Sequence, residues 1–396
     1  NTVDIDGTLN MLSTSGEGSL RIGHNSNTTT ATNTVTVNTG GLLYSEGDMI
    51  HGYAGNPGSL NTLNINGGTV KVASTATRWM KIGNWDGQNS VTNITNGGTL
   101  KLNTNTNIKM GFEASVSGSH TINVDGGSII GYIDNGTSTA NASATIDMSY
   151  RSNTMSAALN IKNGGLVQVR AIYSNNNNTS AVINFDNGTL RATGDALNLI
   201  RLNGTGTRQV NLLTGGGTID SNGYNVTIGN GFSGSGALTK TGAGTLTLPE
   251  ANTYTGSTLV NGGTLLLGGS TSSSGLTING SGAKVTQTTL TSPTLPVTVT
   301  NGTYESSAQI KSLTVANSPT NTVTVGAVPA YSMIIDDSLT FQGAATLNLR
   351  ANGNVMDQAI DGSTSMALTT PGDGATNGQG AINVSNIGAW SGGTDY

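Results

Sequence analysis

Proton transfer or metal binding near neutral pH would have to run through the three histidines, His24, His51 and His120, or through carboxylates. His24 and His51 fall at near-equivalent places in two copies of a short phrase, LRIGH ending at His24 and MIHGY ending at Tyr53. They are expected to be neighbours on an outer polar column. A β-helical polysaccharide lyase or hydrolase would need clustered carboxylates, or a basic residue with an acid partner. No group of Asp and Glu recurs at a fixed spacing, and Asp336 and Asp337 are adjacent, so along a strand they face opposite ways. Calcium would need oxygens at turns, which Asp4 to Gly7 (DIDG) and Asp186 to Gly188 (DNG) offer. Neither matches a repeated GGxGxD pattern, so both read as turn residues and no cofactor is expected. The remaining chemistry is glycan contact. Tyr53, Trp85 and Phe112 follow the glycines of the same phrase, whose later copies are MKIGN and IKMGF. Lys81 and Lys109 hold equivalent places in it, with Arg21 two copies earlier. Such a face could stack on sugars and attract an anionic polymer; the plainer reading is a solvated face with capping aromatics.

The elements that would position these residues follow from the composition. Charged residues make up 9% of the 396, with 58 glycines and 7 prolines. Disordered chains pair low hydrophobicity with high charge or many prolines, and this chain has neither. Its 34% of hydrophobic residues falls in short alternating runs, with Thr, Ser and Asn taking the outside places of Lys and Glu. There is no cysteine, which excludes disulfides and thiolate metal sites. A net charge of -5, thinly spread, gives no nucleic-acid footprint. No apolar run approaches the ~20 residues of a membrane helix. Asn1 opens directly into strand-like sequence with no signal peptide, as in a processed product or in one part of a longer protein.

One phrase recurs through the first half: VTVNTGGLLYS, NTLNINGGTVKV, VTNITNGGTLKL, TINVDGGSIIG, ALNIKNGGLVQV and VINFDNGTLRA. Each copy is an alternating strand, a Gly-Gly or Asn-Gly turn and a second alternating strand. Two phrases keeping step at about 30 residues predict a right-handed parallel β-helix with two or three strands per coil. Alternation assigns the columns. Leu63, Ile65, Ile122, Val124, Leu159 and Ile161 point inward from the first strand, and Val70, Val72, Leu100, Leu102, Val167 and Val169 from the second. Asn64, Asn93, Asn123, Asn160 and Asn184 form one outward column; Lys71, Lys101, Gln168 and Arg191 form another.

Farther on, GSGALTKTGAGTLTLPEANTYTGSTLVNGGTLLLG (residues 234–268) resembles the autotransporter-associated β-strand repeat of bacterial autotransporter passengers and large surface proteins. The resemblance rests on Leu238, Lys240, Gly242, Gly244, Leu246, Leu248, Asn252, Tyr254, Gly256, Thr258, Gly263 and Leu265. Pro249 and Glu250 depart from it at a turn. With its lead-in the match covers residues 215–269. It implies an exported β-helical passenger or cell-surface protein, generally not an enzyme in its repeat region, and it implies no ligand.

The expected organisation is β-helix over 1–213, the passenger-type repeat continuing the solenoid over 214–270, and a less regular, possibly sandwich-like β-region over 271–396. The expected role is an extracellular structural rod without enzyme activity that assembles head to tail. Edge strands with no helical cap suggest it: Val3, Ile5 and Leu9 at one end, Ile382, Val384 and Ile387 at the other. A glycan-binding adhesin is the alternative, with a surface or extracellular polysaccharide as partner. A polysaccharide-degrading enzyme comes third.

Overall fold

The computed structural model describes residues 1–12, 20–24, 30–54, 56–72, 78–84, 87–103, 106–112, 117–132, 143–152, 154–176, 179–288, 291–325, 333–342, 345–350, 360–361 and 381–385. The chain forms two compact units, Asn1–Gly236 and Ala237–Tyr396. The division falls inside the 214–270 stretch that reads as one block in the sequence. Among the described residues every regular element is a strand.

In the first unit three strands make a coil. Coils 1 to 8 span residues 2–24, 32–54, 60–82, 89–110, 117–147, 154–174, 180–202 and 208–228. The first strands, with Phe232–Gly234 added, form a nine-stranded ladder in chain order. Second strands pair only with second strands and third with third, always in parallel. This is the parallel β-helix that the two phrases predict, with three strands per coil. The register stacks like on like. Ile65 lies opposite Ile94, Ile94 opposite Val124, and Val124 opposite Ile161. All four are fully buried, as are the other predicted inward residues. At the corner between first and second strands, Asn96 and Gly97 take φ of 52° and 75°. Asparagine and glycine are the residues that enter this left-handed region at least cost, which is why the turn reads NG or GG.

The outward asparagines form a hydrogen-bonded amide ladder. Asn93 Nδ2 donates to Asn64 Oδ1 at 2.9 Å, Asn123 to Asn93 at 2.8 Å, Asn160 to Asn123 at 2.8 Å, and Asn184 to Asn160 at 2.8 Å. Asn211 and Ser233 extend it at 2.9 and 2.6 Å. Each amide donates to the coil before and accepts from the coil after, so both halves of the group are used. Lys71, Lys101, Gln168 and Arg191 also share one column, with Ile130 between Lys101 and Gln168.

The second unit has shorter coils. One inner column runs Leu238, Thr258, Leu276, Val297, Leu313 and Leu339, read from register. Strands Leu276–Gln287 and Thr291–Ser306 turn a corner without a break, so each serves two ladders, and the register slips within them. These slips are why the sequence period blurs after Ser270. The strands of this stretch stack as parallel coils and not as two facing antiparallel sheets. Asp336 and Asp337 correct the expectation that they face opposite ways. The ladder pairs Ile310 with Ile335 and then Ser312 with Ser338, so one residue opposes two. The resulting bulge leaves both aspartates exposed.

Candidate functional site

The residues expected to meet glycans gather on the outer face of the third strands. Register runs Arg21, Ile50, Lys81, Lys109, Asp147, Tyr173 and Arg201 down one column. Beside it the rings of Trp79, Phe112 and Tyr150 stack, with centroids 5.4 and 5.2 Å apart. The cations lie on these rings. Lys81 Nζ is 4.1 Å from the Phe112 centroid and 3.0 Å from Asp48 Oδ2. Lys109 Nζ is 3.4 Å from the Tyr150 centroid and 4.5 Å from that of Trp79. Higher up, the Arg21 guanidinium lies 4.0 Å over Tyr53. A cation held over an aromatic face in a partly dry setting gains roughly 1–2 kcal/mol. Phe112 and Lys109 are buried beneath the cluster, Tyr53 and Lys81 are half-buried, and Trp85 lies outside the described residues. Hydrogen bonding to Lys109 pulls the Tyr150 hydroxyl down from its ordinary value. Burial pushes the Asp147 carboxyl up to about 6, against the pull of the Ser149 main chain and Lys109. Trp79 is two residues before Lys81 on the same face, so alternation could have found it. Tyr150 lies in a turn outside both phrases and gave no periodic signal.

The histidines are elsewhere than expected. Continuous register sets Ile22, an inner residue, opposite His51, and only beyond that pair does the third-strand ladder slip, setting His24 opposite Ala54. His51 therefore occupies an inner position, fully buried, and is not a neighbour of His24 on an outer column. Its Nδ1 meets Thr92 Oγ1 at 3.3 Å. Around it lies a polar pocket in the interior of coils 2 to 5, all of it fully buried: Asn61, Gln88, Ser90, Thr92 and His120. Asn61, Ser90 and His120 stand in one first-strand column, which continues as Ala157. Asn33 Nδ2 donates to Asn61 Oδ1 at 3.0 Å, and Asn61 Nδ2 to Gln88 Oε1 at 2.8 Å. His51 Nε2, Gln88 Nε2 and both His120 nitrogens have no protein partner. The glycines of the second phrase make this pocket possible. A Cβ on Gly83, whose φ is +69°, would fall 2.2 Å from the His120 ring. Among the described residues, no group of three or more His, Asp or Glu converges to hold a metal ion. Of the turn aspartates, Asp6 accepts from Asn38 Nδ2 at 2.8 Å and Asp186 from the Gly215 N–H at 2.7 Å.

In the second unit four polar residues of the 238–267 stretch, Lys240, Asn252, Tyr254 and Thr258, are turned inward, while Glu250, Thr253, Thr255, Ser257 and Asn261 are exposed. Lys240 shares an inner column with Val260, Ile278, Val299, Val315 and Phe341, and it is fully buried. Its ammonium donates to the carbonyls of Thr241, Gly242 and Gly262 at 2.8, 2.8 and 3.0 Å. Three donors meet three acceptors from two successive coils. Tyr254 is buried as well, its hydroxyl 2.5 Å from Thr258 Oγ1. Thr258 donates to Ser273, which reaches the Gly256 and Gly275 carbonyls at 2.9 Å each. Burial raises the Tyr254 hydroxyl above its ordinary value. Residues 238–267 match the family described as the passenger-associated-transport-repeat. The resemblance read from Lys240, Asn252 and Tyr254 is thus found again, over a shorter stretch. No curated protein matches the chain. In the transport repeat, Asn252 Nδ2 donates to the Glu250 carbonyl at 2.8 Å, and the unusual Pro249-Glu250 pair falls in the turn after strand Thr245–Leu248. The repeat's polar residues hold main chain in place. Among the described residues no helix is long and apolar enough to cross a membrane.

Proposed function

We propose that the chain is a structural, non-enzymatic length of an exported bacterial passenger that works outside the cell and adds coils at an open edge. The observation that carries this reading is a transport repeat built into parallel coils, its one lysine and its tyrosine buried and spent on the fold. The proposed partner at the edge is a second copy of the chain. Val3 and Leu9 hold inner-column places in coil 1, yet they are 51% and 37% exposed, whereas Leu43, the register partner of Leu9, is fully buried. Ile5 is covered already. On the other side of the proposed contact, Ile382 and Val384 belong to strand Ala381–Ser385, which pairs with Thr346–Arg350; Ile387 lies outside the described residues. The isolated 1–396 chain is expected to associate with rising concentration and to form filaments visible by electron microscopy. A Val3→Lys, Leu9→Lys double variant, which sets charge in the edge, should scatter light as a monomer. A wild-type chain that stays monomeric at every concentration would remove the assembly reading.

A second reading places an acidic polysaccharide on the cation–aromatic column, with Tyr53 and Lys81 in contact and Phe112 and Lys109 positioning them from beneath. The Arg21–Tyr53 pair supports it, since that cation has a ring beneath it and solvent above. Arg21→Ala with Lys81→Ala should weaken co-sedimentation with alginate or pectin at least tenfold. Unchanged binding, or none by the wild type, would dismiss it.

A further inference from the structure

The interior of coils 2 to 5 holds a feature that stacking does not explain. Every other described coil interior in this unit closes mainly on apolar or small side chains. Here two imidazoles and an amide are fully buried with nitrogen atoms left unpartnered. The next residue down the His120 column is Ala157, and then Ala181, so the fold does not need an imidazole at this place.

We propose that His51 and His120 form an acid-sensitive catch: neutral, they let the first and third strands of coils 2 to 5 pack together, and protonated, they force them apart. The argument is one of desolvation. An imidazolium buried without a counter-charge is costly, and the chain can relieve that cost only by exposing the ring to water. Among the described residues no carboxylate pairs with either ring. The first strands of coils 3 and 4 carry no charged residue. Those of coils 5 and 6 carry Asp125 and Lys162, which pair with each other at 3.1 Å. On the third strands of coils 1 to 3, Arg21 lies over Tyr53 and Lys81 on Asp48, both on the outer face, and Arg78 is a further cation; those of coils 4 and 5 carry Lys109 and Asp147, which stand opposite each other in the same outer column. What acts on His120 besides burial is the charge of His51, which repels it.

Burial brings both imidazoles down from 6.5 to about 4, the main chain of Asn61 opposing this for His51. The sign follows directly. The open form binds protons more readily than the closed form, so closure is fully favoured above 6.5 and is lost as pH falls from 6.5 towards 4. Each imidazole shifts the open–closed ratio on the order of a hundredfold over that window. In a solenoid each coil contacts only its neighbours, so the opening stays local. Asp147 acts in the opposite sense, since its carboxyl is raised; it is left intact in the comparison below.

The test is amide hydrogen exchange on the full chain at pH 7 and pH 4.5, corrected for intrinsic rates, for the wild type and for His51→Gln, His120→Asn. In the wild type, protection in Met49–Ala54, Asn89–Thr95 and Ser117–Asp125 should fall on the order of a thousandfold or more beyond that in Thr258–Val260 and Thr264–Leu267, since the two imidazoles multiply. The double variant should lose that excess. Should the variant fail to fold, nitrogen-15 spectra of the wild-type imidazoles decide instead: both should stay neutral at pH 5.5 and charge only as protection is lost. Equal losses in both regions, an unaltered excess in the variant, or imidazoles that charge near pH 6.5 without loss of protection would each overturn the proposal.

Discussion

Exchanging Lys240 for methionine is expected to destabilise the second unit by about 3 kcal/mol. Methionine fits the column, since Lys240 stacks on Val260 and both are fully buried. The loss comes from the carbonyls of Thr241, Gly242 and Gly262, which surrender their shared donor. An unsatisfied buried acceptor costs roughly 1–3 kcal/mol, and release of the buried cation returns part of the total. Lys240→Arg should also lose stability, because a planar fork cannot direct its donors at three carbonyls converging on one point. Urea unfolding followed by circular dichroism measures both. A Lys240→Met loss under about 0.5 kcal/mol would show that water or a turn rearrangement satisfies the carbonyls equally well.

Ile94 and Asn93 are neighbours on one strand with opposite fates. Ile94→Ala should cost about 2–5 kcal/mol, as for any fully buried isoleucine packed above and below by its like. Asn93→Ser gives up amide contacts to Asn64 and Asn123 on a half-buried face, which should cost about 1 kcal/mol. The comparison is made by denaturant unfolding at pH 7, where both histidines are neutral. Equal losses at the two sites would contradict the assignment of inner and outer columns.

The two substitutions also mark what the sequence discloses. Ile94 and Asn93 are legible because alternation and period are printed in the residues, and the structure only adds that three strands and not two complete the coil. Lys240 is legible as part of a resemblance, but its inward direction is not. Alternation does place it on the Leu238 side of the strand, yet a lysine reads as an outer residue unless the converging carbonyls of another coil are known. His51 was missed for a related reason. Matching LRIGH to MIHGY by their glycines sets Ile22 over His51, but a histidine, like a lysine, reads as an outer residue unless the polar interior around it is known. The cation–aromatic cluster was half visible: Lys81 and Lys109 by their period, Tyr150 and Asp147 not at all, since a turn and a broken spacing bring them in.

The amide ladder has a consequence for how such a chain can change in length. Each asparagine offers the same donor to one neighbour and the same acceptor to the other, so Asn93 would meet Asn160 as readily as it meets Asn123. A duplication or deletion that spans one full turn from ladder amide to ladder amide leaves every remaining column continuous. Insertion of a single residue between Val91 and Ile94 would instead turn the following side chains over, bringing an amide inside and an isoleucine outside. The sequence is therefore tolerant of editing in whole turns and intolerant of it in single letters.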